Sequence, residues 1–407
     1  TAAALVTFWL VSLHVSPEAF GRCSLYLAAL GAAAMLLVNW PNAALLRYGR
    51  EEWVQRQRVG ETLAARGLLY AAGVIATIGL AWLLDPLLRA YLSIATSPFW
   101  WLVLGIVLMP VVEMAIYAHQ AVGRRLPYGY APLVSRVTFL AAVALIPVAG
   151  IRAEWDYLAA AMAAGWLLSA TLVILTFPRD AWCGLRPTRA ALRRILGYSW
   201  AIPLGALAAY TVNWVDAWVI RIYLGPEAVG IYTWAYQITA IGGLAFAPLG
   251  ALLIPSMVDA HVAGDLRRLS RHGQRSLRLV VLVGALGTIV LAVVYPLLSS
   301  LAGPGYRGSY PVILLLLAAI PFQLLGYLMN PLMAPFESLV PKGMLMNAGL
   351  AVANVIGDLV LVPLVGITGA AIATWGVFCL RGACSASAAG CRSTWSCATS
   401  GDWSFRA

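Results

Sequence analysis

The chain has 407 residues, of which 62% are hydrophobic and only 11% are charged. Soluble globular proteins carry roughly 25% charged residues, so this composition excludes a water-exposed surface of the size that 407 residues would need. The formal net charge of +11 does not indicate nucleic-acid binding, because the arginines are grouped in short stretches between apolar runs. The sequence therefore predicts an all-α protein that crosses a membrane many times.

Twelve apolar segments are candidates for membrane-spanning helices, each of which needs about 20 residues. They lie near 1–14, 23–46, 63–84, 98–120, 131–151, 155–177, 197–222, 228–256, 278–301, 309–333, 342–364 and 367–381. Because the chain begins at Thr1 inside an apolar run, we expect that its first helix lacks its start. Residues 382–407 have no periodicity, and we expect them to be a disordered tail produced by truncation or a shifted reading frame.

The distribution of basic residues predicts the orientation of the chain. With the N-terminus in the cytoplasm, nineteen Arg and Lys residues, Arg66 among them, belong to the inner side and five to the outer side. Segments 186–200 and 265–278 look like basic amphipathic helices that anionic headgroups would attract. A topology signal alone explains these two segments equally well.

Catalytic and metal-binding patterns are lacking in the sequence. The six Cys and four His residues form no CxxC pair and no zinc-ligand spacing, so we predict neither a metal site nor a cofactor. No nucleophile–base pair or Gly-rich phosphate loop is recognisable either. We therefore expect a protein that is not an enzyme.

The chain contains two similar six-residue stretches, SPEAFG at 16–21 and GPEAVG at 225–230. IPVAGI at 146–151 and VPLVGI at 362–367 recur at a similar separation of about 210 residues. Two polar stripes with i, i+4, i+7 spacing also correspond: Glu113, Tyr117 and Gln120 in the fourth predicted span, and Gln323, Tyr327 and Asn330 in the tenth. We treat their tyrosine and amide members as candidate substrate-binding residues: Tyr117, Gln120, Gln323, Tyr327 and Asn330.

These correspondences predict an internal duplication and two bundles of six helices. We expect a first bundle at 1–178, a basic cytoplasmic linker at 179–196, a second bundle at 197–381, and the atypical tail at 382–407. Since six is even, the bundles run in the same direction and are related by a pseudo-twofold axis along the membrane normal. Transporters built in this way hold their substrate between the halves and work by alternating access.

The seventh predicted span carries the most conspicuous polar residues. Asp216 lies inside it, with Asn213 one turn earlier and Arg221 toward the outer end. Charged groups inside a membrane are costly, so Asp216 is a functional candidate, although pairing with an Arg of another helix explains it as well. An aromatic stripe on the same helix suits sugar rings but is more typical of packing or of the membrane interface: Tyr210, Trp214 and Trp218.

Four further charged residues are open to two interpretations. Arg136 lies one turn inside the fifth span and Arg47 ends the second, so both either extend to the interface or face a cavity. Glu113 is interpreted as an ion-pair partner of Arg136 or as a coupling-ion site, and we favour the ion pair. Asp358 is the comparable acid of the second half, and its place near a helix end makes a solvated role plausible.

Residues 198–238 and 340–375 carry a resemblance to a known family. YSWAIPLGALAAYTVNWVDAWVIRIYLGPEAVGIYTWAYQI and VPKGMLMNAGLAVANVIGDLVLVPLVGITGAAIATW resemble the polysaccharide transporter branch of the multidrug/oligosaccharidyl-lipid/polysaccharide (MOP) exporter superfamily. This branch includes O-antigen and exopolysaccharide flippases. The resemblance extends from residue 1 to about 381, and helices thirteen and fourteen of the family are lacking.

The resemblance implies a flippase of the bacterial cytoplasmic membrane. Its substrate would be an undecaprenyl-diphosphate-linked oligosaccharide, its other partners membrane lipids and polysaccharide polymerase or ligase proteins, and nucleic acid would have no part. A cationic cavity would receive the diphosphate, with Arg47, Arg136 and Arg221 as the candidate residues. The alternatives are a drug/cation antiporter of the same superfamily and, less favoured, a membrane glycosyltransferase or ligase.

Overall fold

The computed structural model describes residues 2–94, 96–244, 303–333 and 340–390, with helical pieces at 275, 278, 282, 284–290 and 292–293. These residues are almost entirely helical, and no strand occurs among them. The predicted all-α class is therefore confirmed. Residues 391–407 lie outside the described part, as does most of the predicted ninth span.

Nine α-helices are described before residue 200. They are α1 Ala2–His14, α2 Pro17–Ala33, α3 Asn42–Arg56, α4 Gly60–Leu83, α5 Asp85–Leu92, α6 Phe99–Ala121, α7 Leu126–Ala149, α8 Trp155–Leu175 and α9 Arg189–Ser199. A π-helical segment, Ala34–Asn39, separates α2 from α3, and short 3-10 turns occupy Arg179–Trp182 and Pro304–Ser309.

Five further helices are described after residue 200. They are α10 Ile202–Leu224, α11 Pro226–Leu244, α12 Tyr310–Met333, α13 Val340–Val365 and α14 Ile367–Gly390. The last helix includes 382–390, which the sequence assigned to a disordered tail, so helical structure continues nine residues beyond the expected end of the final span.

Several described helices are long and apolar enough to cross a membrane. Seven meet this description, or eight if α9 and α10, which meet at a bend of 45°, form one span. One of the seven is the continuous 40-residue stretch Pro17–Arg56, and the shorter apolar helix Ile367–Ala383 comes in addition. The chain is thus a multi-pass membrane protein, as its composition predicts.

The described chain divides into two compact units. The first unit comprises Ala2–Tyr210 and Pro226–Gly230, and the second comprises Thr211–Gly225 and the chain from Ile231 onward. The division therefore falls within α10 rather than in the linker at 179–196, because the first half of α10 packs with the N-terminal helices.

The repeated six-residue stretches both start helices. Ser16 caps α2 by accepting a hydrogen bond from the Ala19 N–H at 3.2 Å, and Pro17 occupies the first turn. Pro226 is likewise the first residue of α11. Within the first unit the two stretches meet, since a Cβ placed on Gly21 would lie 1.8 Å from the Pro226 carbonyl oxygen. The glycines of the repeat therefore allow close helix contact.

The second repeated pair also adopts one local conformation. IPVAGI ends α7 and VPLVGI ends α13, and the glycine after each helix is left-handed, with φ of +62° at Gly150 and +71° at Gly366. A left-handed residue after the last turn is the usual termination of a helix by glycine. The two halves thus share backbone features that support the proposed duplication.

The π-helical segment Ala34–Asn39 interrupts the longest helical stretch. Proline follows at position 41 and cannot donate a backbone hydrogen bond, so the regular ladder is broken here. Helix α4 approaches the segment closely, because a Cβ on Gly73 would lie 2.3 Å from the Leu37 carbonyl oxygen. Two buried polar side chains of the first unit, Asn42 and Arg66, lie at this break.

Candidate functional site

Two aspartates are buried within the second unit. Asp216 of α10 has 2% of its surface exposed, and Asp358 of α13 has none. The expectation that Asp358 is solvated is therefore wrong. It lies one turn after Asn354, so that both side chains point to the same side of α13. The buried face of the helix, not its position along the chain, decides the environment of this carboxylate.

Neutral donors from three helices surround Asp216. Asn354 Nδ2 donates to Asp216 Oδ1 at 2.8 Å and to Asp358 Oδ2 at 3.4 Å, so one amide bridges the two carboxylates. Thr374 Oγ1 of α14 donates to Asp216 Oδ2 at 2.7 Å, and the Tyr232 hydroxyl of α11 donates to the same oxygen. We call these five residues the acid cluster.

The charge of the acid cluster is not balanced by any described side chain. Among the described residues neither aspartate forms a salt bridge, so pairing of Asp216 with an arginine is not found there. Asn354 Oδ1 and Asp358 Oδ1 are buried acceptors without a described partner. Two carboxylates in a dry site require a proton or a cation. Oxygen-only ligands of this kind suit a hard cation such as Na⁺.

The acid cluster contains too few titratable ligands for a conventional transition-metal site. Within the described part of the chain no group of three or more His, Cys, Asp or Glu residues is placed to hold a metal ion. The cluster offers carboxylate, amide and hydroxyl oxygens instead. It is therefore a candidate site for a proton or an alkali cation.

The first unit buries an arginine. Arg66 of α4 is completely inaccessible to solvent, although the sequence assigned it to the inner side as a topology signal. Its Nε donates to Asn42 Oδ1 at 2.9 Å, and Nη2 donates to the Val38 carbonyl at 2.8 Å. Both acceptors belong to the break between α2 and α3. Arg66 therefore supplies hydrogen bonds where the helix ladder is interrupted.

Glu113 is bound to the same break from the other side. Its Oε2 accepts a hydrogen bond from Asn39 Nδ2 at 2.7 Å, and it interacts electrostatically with Arg66. The preferred ion pair between Glu113 and Arg136 is not among the described salt bridges, and the carboxylate is bound to the helix break instead. Arg66, Asn42, Asn39 and Glu113 form what we call the arginine cluster.

Residues 1–261 match a family model described as polysaccharide biosynthesis protein. The match covers well over half of the chain. The chain belongs to this family. The resemblance to the polysaccharide branch of the MOP exporters is thereby confirmed. A search of curated protein sequences finds no match.

Several solved structures are similar to this chain along nearly its whole length. An inward-facing multidrug resistance MATE transporter of the MOP superfamily has a TM-score of 0.77 at 14% identity, covering 99% of this chain and 96% of its own. The lipid II flippase MurJ has a TM-score of 0.71 at 12% identity, covering 98% and 87%. A MOP transporter from Pyrococcus furiosus gives 0.59 at 13% identity, covering 98% and 99%. At these identities the likeness shows the fold.

The three arginines that are candidates for lining a cavity differ in their surroundings. Arg47 is exposed, and its guanidinium lies over the Tyr48 and Tyr198 rings at 5.5 and 5.0 Å. Arg136 is exposed on α7, whereas Arg221 of α10 is partly buried. Stacking on two aromatic faces holds the Arg47 guanidinium, and its Nε lies 3.7 Å from Glu51 Oε1 in an exposed ion pair.

The aromatic stripe of α10 is divided between the two units. The Tyr210 hydroxyl donates to the Ala28 carbonyl at 2.9 Å within the first unit. Trp214 and Trp218 belong to the second unit and are both partly buried. Asn213 is exposed and accepts a hydrogen bond from the Tyr236 hydroxyl at 3.0 Å.

The two predicted polar stripes have different outcomes. Tyr117 packs beside the apolar cluster that contains Leu45 and Phe177, and Gln120 is partly buried. Gln323 is buried in α12 with 9% of its surface exposed. The side chains of Tyr327 and Asn330 lie outside the described residues. Of the six stripe residues, Glu113 alone is placed in a described polar cluster.

Sequence reasoning missed Arg66, Thr374 and Tyr232 as site residues. For Arg66 a signal was present, since it falls inside the 24-residue helix Gly60–Leu83 rather than in a loop. Thr374 and Tyr232 are separated from Asp216 by 158 and 16 residues, and single hydroxyls carry no sequence signal of their own.

Proposed function

We propose that this protein is a flippase that moves a lipid-diphosphate-linked oligosaccharide across the bacterial cytoplasmic membrane for cell-surface polysaccharide synthesis. The family description supports the substrate class, and the MOP transporter fold supports movement by alternating access. The lipid tail remains in the bilayer while the headgroup passes through the protein. The reaction is transport without covalent change.

The acid cluster is the observation that supports coupling of substrate transport to the binding of a cation or proton. A buried acid pair beside two oxygens without a described partner, Asn354 Oδ1 and Asp358 Oδ1, is stable when a cation or proton is bound and costly when it is empty. Binding therefore favours the arrangement in which Asp216, Asn354 and Asp358 remain together. A cation gradient can then shift the equilibrium between conformations of the transporter, because the ion binds one of them better.

The headgroup requires positive charge, and three arginines supply it in this proposal. We assign this role to Arg47, Arg136 and Arg221, whose planar guanidinium groups suit the oxygens of a diphosphate. Trp214, Trp218 and the polar residues of α6 and α12 are the proposed contacts for the sugars. Polysaccharide polymerase or ligase proteins are proposed to receive the product on the outer face.

A transport assay tests the function. Purified protein is reconstituted with fluorescent lipid-diphosphate oligosaccharide, and a membrane-impermeant quencher reports the outer fraction with and without a Na⁺ or proton gradient. We expect gradient-dependent movement that Asp216→Asn abolishes, with Gly79→Ala as a control outside the cluster, since a Cβ at Gly79 meets no atom within 4 Å. Failure to move any such lipid, with cation-driven export of an organic cation instead, would establish the alternative.

That alternative is a drug/cation antiporter, and the similarity to multidrug MATE transporters favours it as the second candidate. The assay above separates the two by substrate. A glycosyltransferase or ligase would release a shortened or extended glycan, so analysis of the lipid products by mass spectrometry would reveal it.

The proposed orientation places the N-terminus and the loop before α9 in the cytoplasm. Cys183 is an exposed free cysteine in this loop and provides a test. In a variant that keeps only Cys183, a membrane-impermeant maleimide should label broken but not intact cells. A matched Arg152→Cys variant without Cys183 should be labelled in both. The reverse pattern would invert the topology.

A further inference from the structure

Helix α9 is fixed against the first unit by one face. Ala191 and Ile195 pack with Ala44 of α3 and Ala65 of α4 in a small apolar cluster. Thr188 caps the helix by accepting from the Ala191 N–H at 3.1 Å, and its hydroxyl also donates to Glu61. The helix therefore cannot rotate freely, and its opposite face is held outward.

The outward face carries a defined stripe. Arg189, Arg193, Leu196 and Trp200 follow i, i+4, i+7, i+11 spacing, which places them along one side of a helix. All four are exposed, including 40% of Leu196 and 70% of Trp200. The stripe is basic in its first half and apolar in its second. We call it the α9 stripe.

The arginines of the α9 stripe oppose the helix dipole. They occupy the first half of the helix, where the N-terminal end carries partial positive charge and favours acids. Helix α9 contains no acidic residue, and Arg194 adds further positive charge. Their position therefore disfavours the isolated helix and strengthens the attraction for an anion on the outside.

The direction of the next helix identifies the partner. Helix α10 begins at Ile202, is apolar enough to count with α9 as a broken span, and meets α9 at 45°. The apolar end of the stripe is therefore next to the membrane-spanning helix. The basic end lies earlier in the chain, at the far end of α9 from that helix. This order matches a bilayer surface, where acyl chains lie below phosphate groups.

We propose that the α9 stripe docks on the anionic phospholipid headgroups of the surrounding bilayer. Arg189 and Arg193 contact lipid phosphates, while Leu196 and Trp200 enter the boundary between headgroups and acyl chains. The membrane surface covers apolar side chains that would otherwise face water. This role is independent of the transported substrate.

Gly197 provides a site for a reporter, because it is exposed on the same side and a Cβ there meets no atom within 4 Å. Full-length protein carrying Gly197→Cys as its sole cysteine is labelled with an environment-sensitive dye and placed in nanodiscs. One set contains phosphatidylcholine, and the other contains phosphatidylcholine with phosphatidylglycerol. We expect a blue-shifted emission in the anionic nanodiscs that high salt reverses.

Charge-neutral variants test the arginines. Arg189→Gln and Arg193→Gln should each weaken the preference for phosphatidylglycerol about fivefold, the effect of one basic residue near an anionic surface. Arg152→Gln, at an exposed arginine in the loop between α7 and α8, is the control and should leave the preference unchanged. Thermal unfolding of each variant verifies its fold.

The remaining outcomes contradict the proposal. Equal emission in both nanodiscs would show that the stripe does not recognise anionic lipid, and emission typical of water in both would show that it does not dock. Inorganic phosphate added to phosphatidylcholine nanodiscs should have no effect. A shift with phosphate alone would mean that the arginines bind a free anion rather than the membrane surface.

Discussion

The acid cluster and the arginine cluster pose the same physical problem with opposite charge. Each is buried within one unit of a membrane protein, and each uses asparagine side chains to contact its charged groups. They differ in what the charged group binds. Asp216 is bound by side-chain donors from three other helices, whereas Arg66 donates to the backbone and side chain of one interrupted helix.

This difference distinguishes a candidate ion-binding site, the acid cluster, from a cluster that stabilises the fold, the arginine cluster. In the acid cluster the buried atoms without a described partner are both acceptors, Asn354 Oδ1 and Asp358 Oδ1, whereas in the arginine cluster they are the donors Arg66 Nη1 and Asn42 Nδ2 together with Asn39 Oδ1. In the arginine cluster Arg66 occupies carbonyl and amide oxygens at the helix break, and Glu113 supplies opposite charge. We infer that the acid cluster exchanges an ion during transport and that Arg66 maintains the fold.

Replacing Arg66 should give the largest loss of stability. Arg66→Met leaves the Val38 carbonyl and Asn42 Oδ1 without their donor and Glu113 without its cation. Removing one member of a buried charged pair typically costs about 3–5 kcal/mol. Thermal unfolding in detergent should therefore show a strongly lowered midpoint or no folded protein.

The double variant Arg66→Met with Glu113→Gln is the matched control. If Glu113 balances Arg66, the second change should recover part of the lost stability. A single Arg66→Met variant as stable as the parent protein, and still responsive to cations, would contradict the structural role.

Replacing Asp358 should abolish the increase in stability that a bound cation gives, while the stability without the cation should change little. A bound ion raises the free energy of unfolding by about 2.7 kcal/mol at a concentration 100 times its dissociation constant. Asp358→Asn removes a ligand charge and should abolish that increase. The measurement is the thermal midpoint across a titration of NaCl against choline chloride, at two pH values.

The same titration discriminates between Na⁺ and protons. A midpoint raised by NaCl and not by choline chloride identifies Na⁺, and one raised only at the lower pH identifies protonation. If the parent protein and Asp358→Asn respond identically to both, the acid cluster is not an ion site.

Replacing Gly73 tests the close approach of α4 to the helix break. A Cβ at this position would lie 2.3 Å from the Leu37 carbonyl oxygen, so the two segments must move apart. Overpacking of this kind costs about 1–3 kcal/mol. Gly73→Ala should therefore lower the thermal midpoint in both the presence and the absence of cations.

Gly79 of the same helix is the control, because a Cβ there meets nothing within 4 Å. Alanine favours the helix by roughly 1 kcal/mol over glycine, so Gly79→Ala should be neutral or stabilising. Equal effects of the two changes would mean that the contact with Leu37 does not constrain the break.

The sequence was sufficient to predict the elements whose causes are local. Pro17 and Pro226 mark helix starts, and the left-handed glycines 150 and 366 end helices at corresponding places. Asp216 was also identifiable, because a carboxylate inside an apolar helix is conspicuous. In each case the determining residues lie within one or two turns of each other.

Features that depend on tertiary contact were not predictable. The side chains of Arg66 and Asp358 are both buried inside their units. Counting charges along the sequence does not show whether a charged side chain is buried or exposed. Thr374 is 158 residues from Asp216, and only the packing of α14 brings them together. Burial of a polar residue near a helix end is decided by neighbouring helices.

The smallest expected effect concerns Asp85, a carboxylate outside the predicted spans that contrasts with the buried acids. A hydrogen bond from Ser97 and the neighbouring Arg89 lower the pKa of Asp85 below its ordinary value of 3.8. A lowered pKa means that ionised Asp85 stabilises the folded state above its unfolded pKa. This contribution is lost as the pH falls through the folded-state pKa.

Ser97→Ala should therefore have two separable effects. The Ser97 hydroxyl also accepts from the Phe99 N–H at 3.2 Å at the start of α6, so its loss lowers stability at every pH, as the loss of a cap does. In addition, the pKa of Asp85 should rise toward 3.8, so Asp85 contributes less stability above its unfolded pKa and less stability is lost on acidification. Thermal midpoints measured from about pH 6 down to about pH 3 separate the constant part from the pH-dependent part. If the dependence of the thermal midpoint on acidic pH were unchanged, Ser97 would act only by accepting the hydrogen bond at the start of α6. Because Asp85 needs no specific cation, NaCl and choline chloride at equal ionic strength should affect its pH dependence equally, whereas a specific response to Na⁺ is the distinguishing property expected of Asp216 and Asp358.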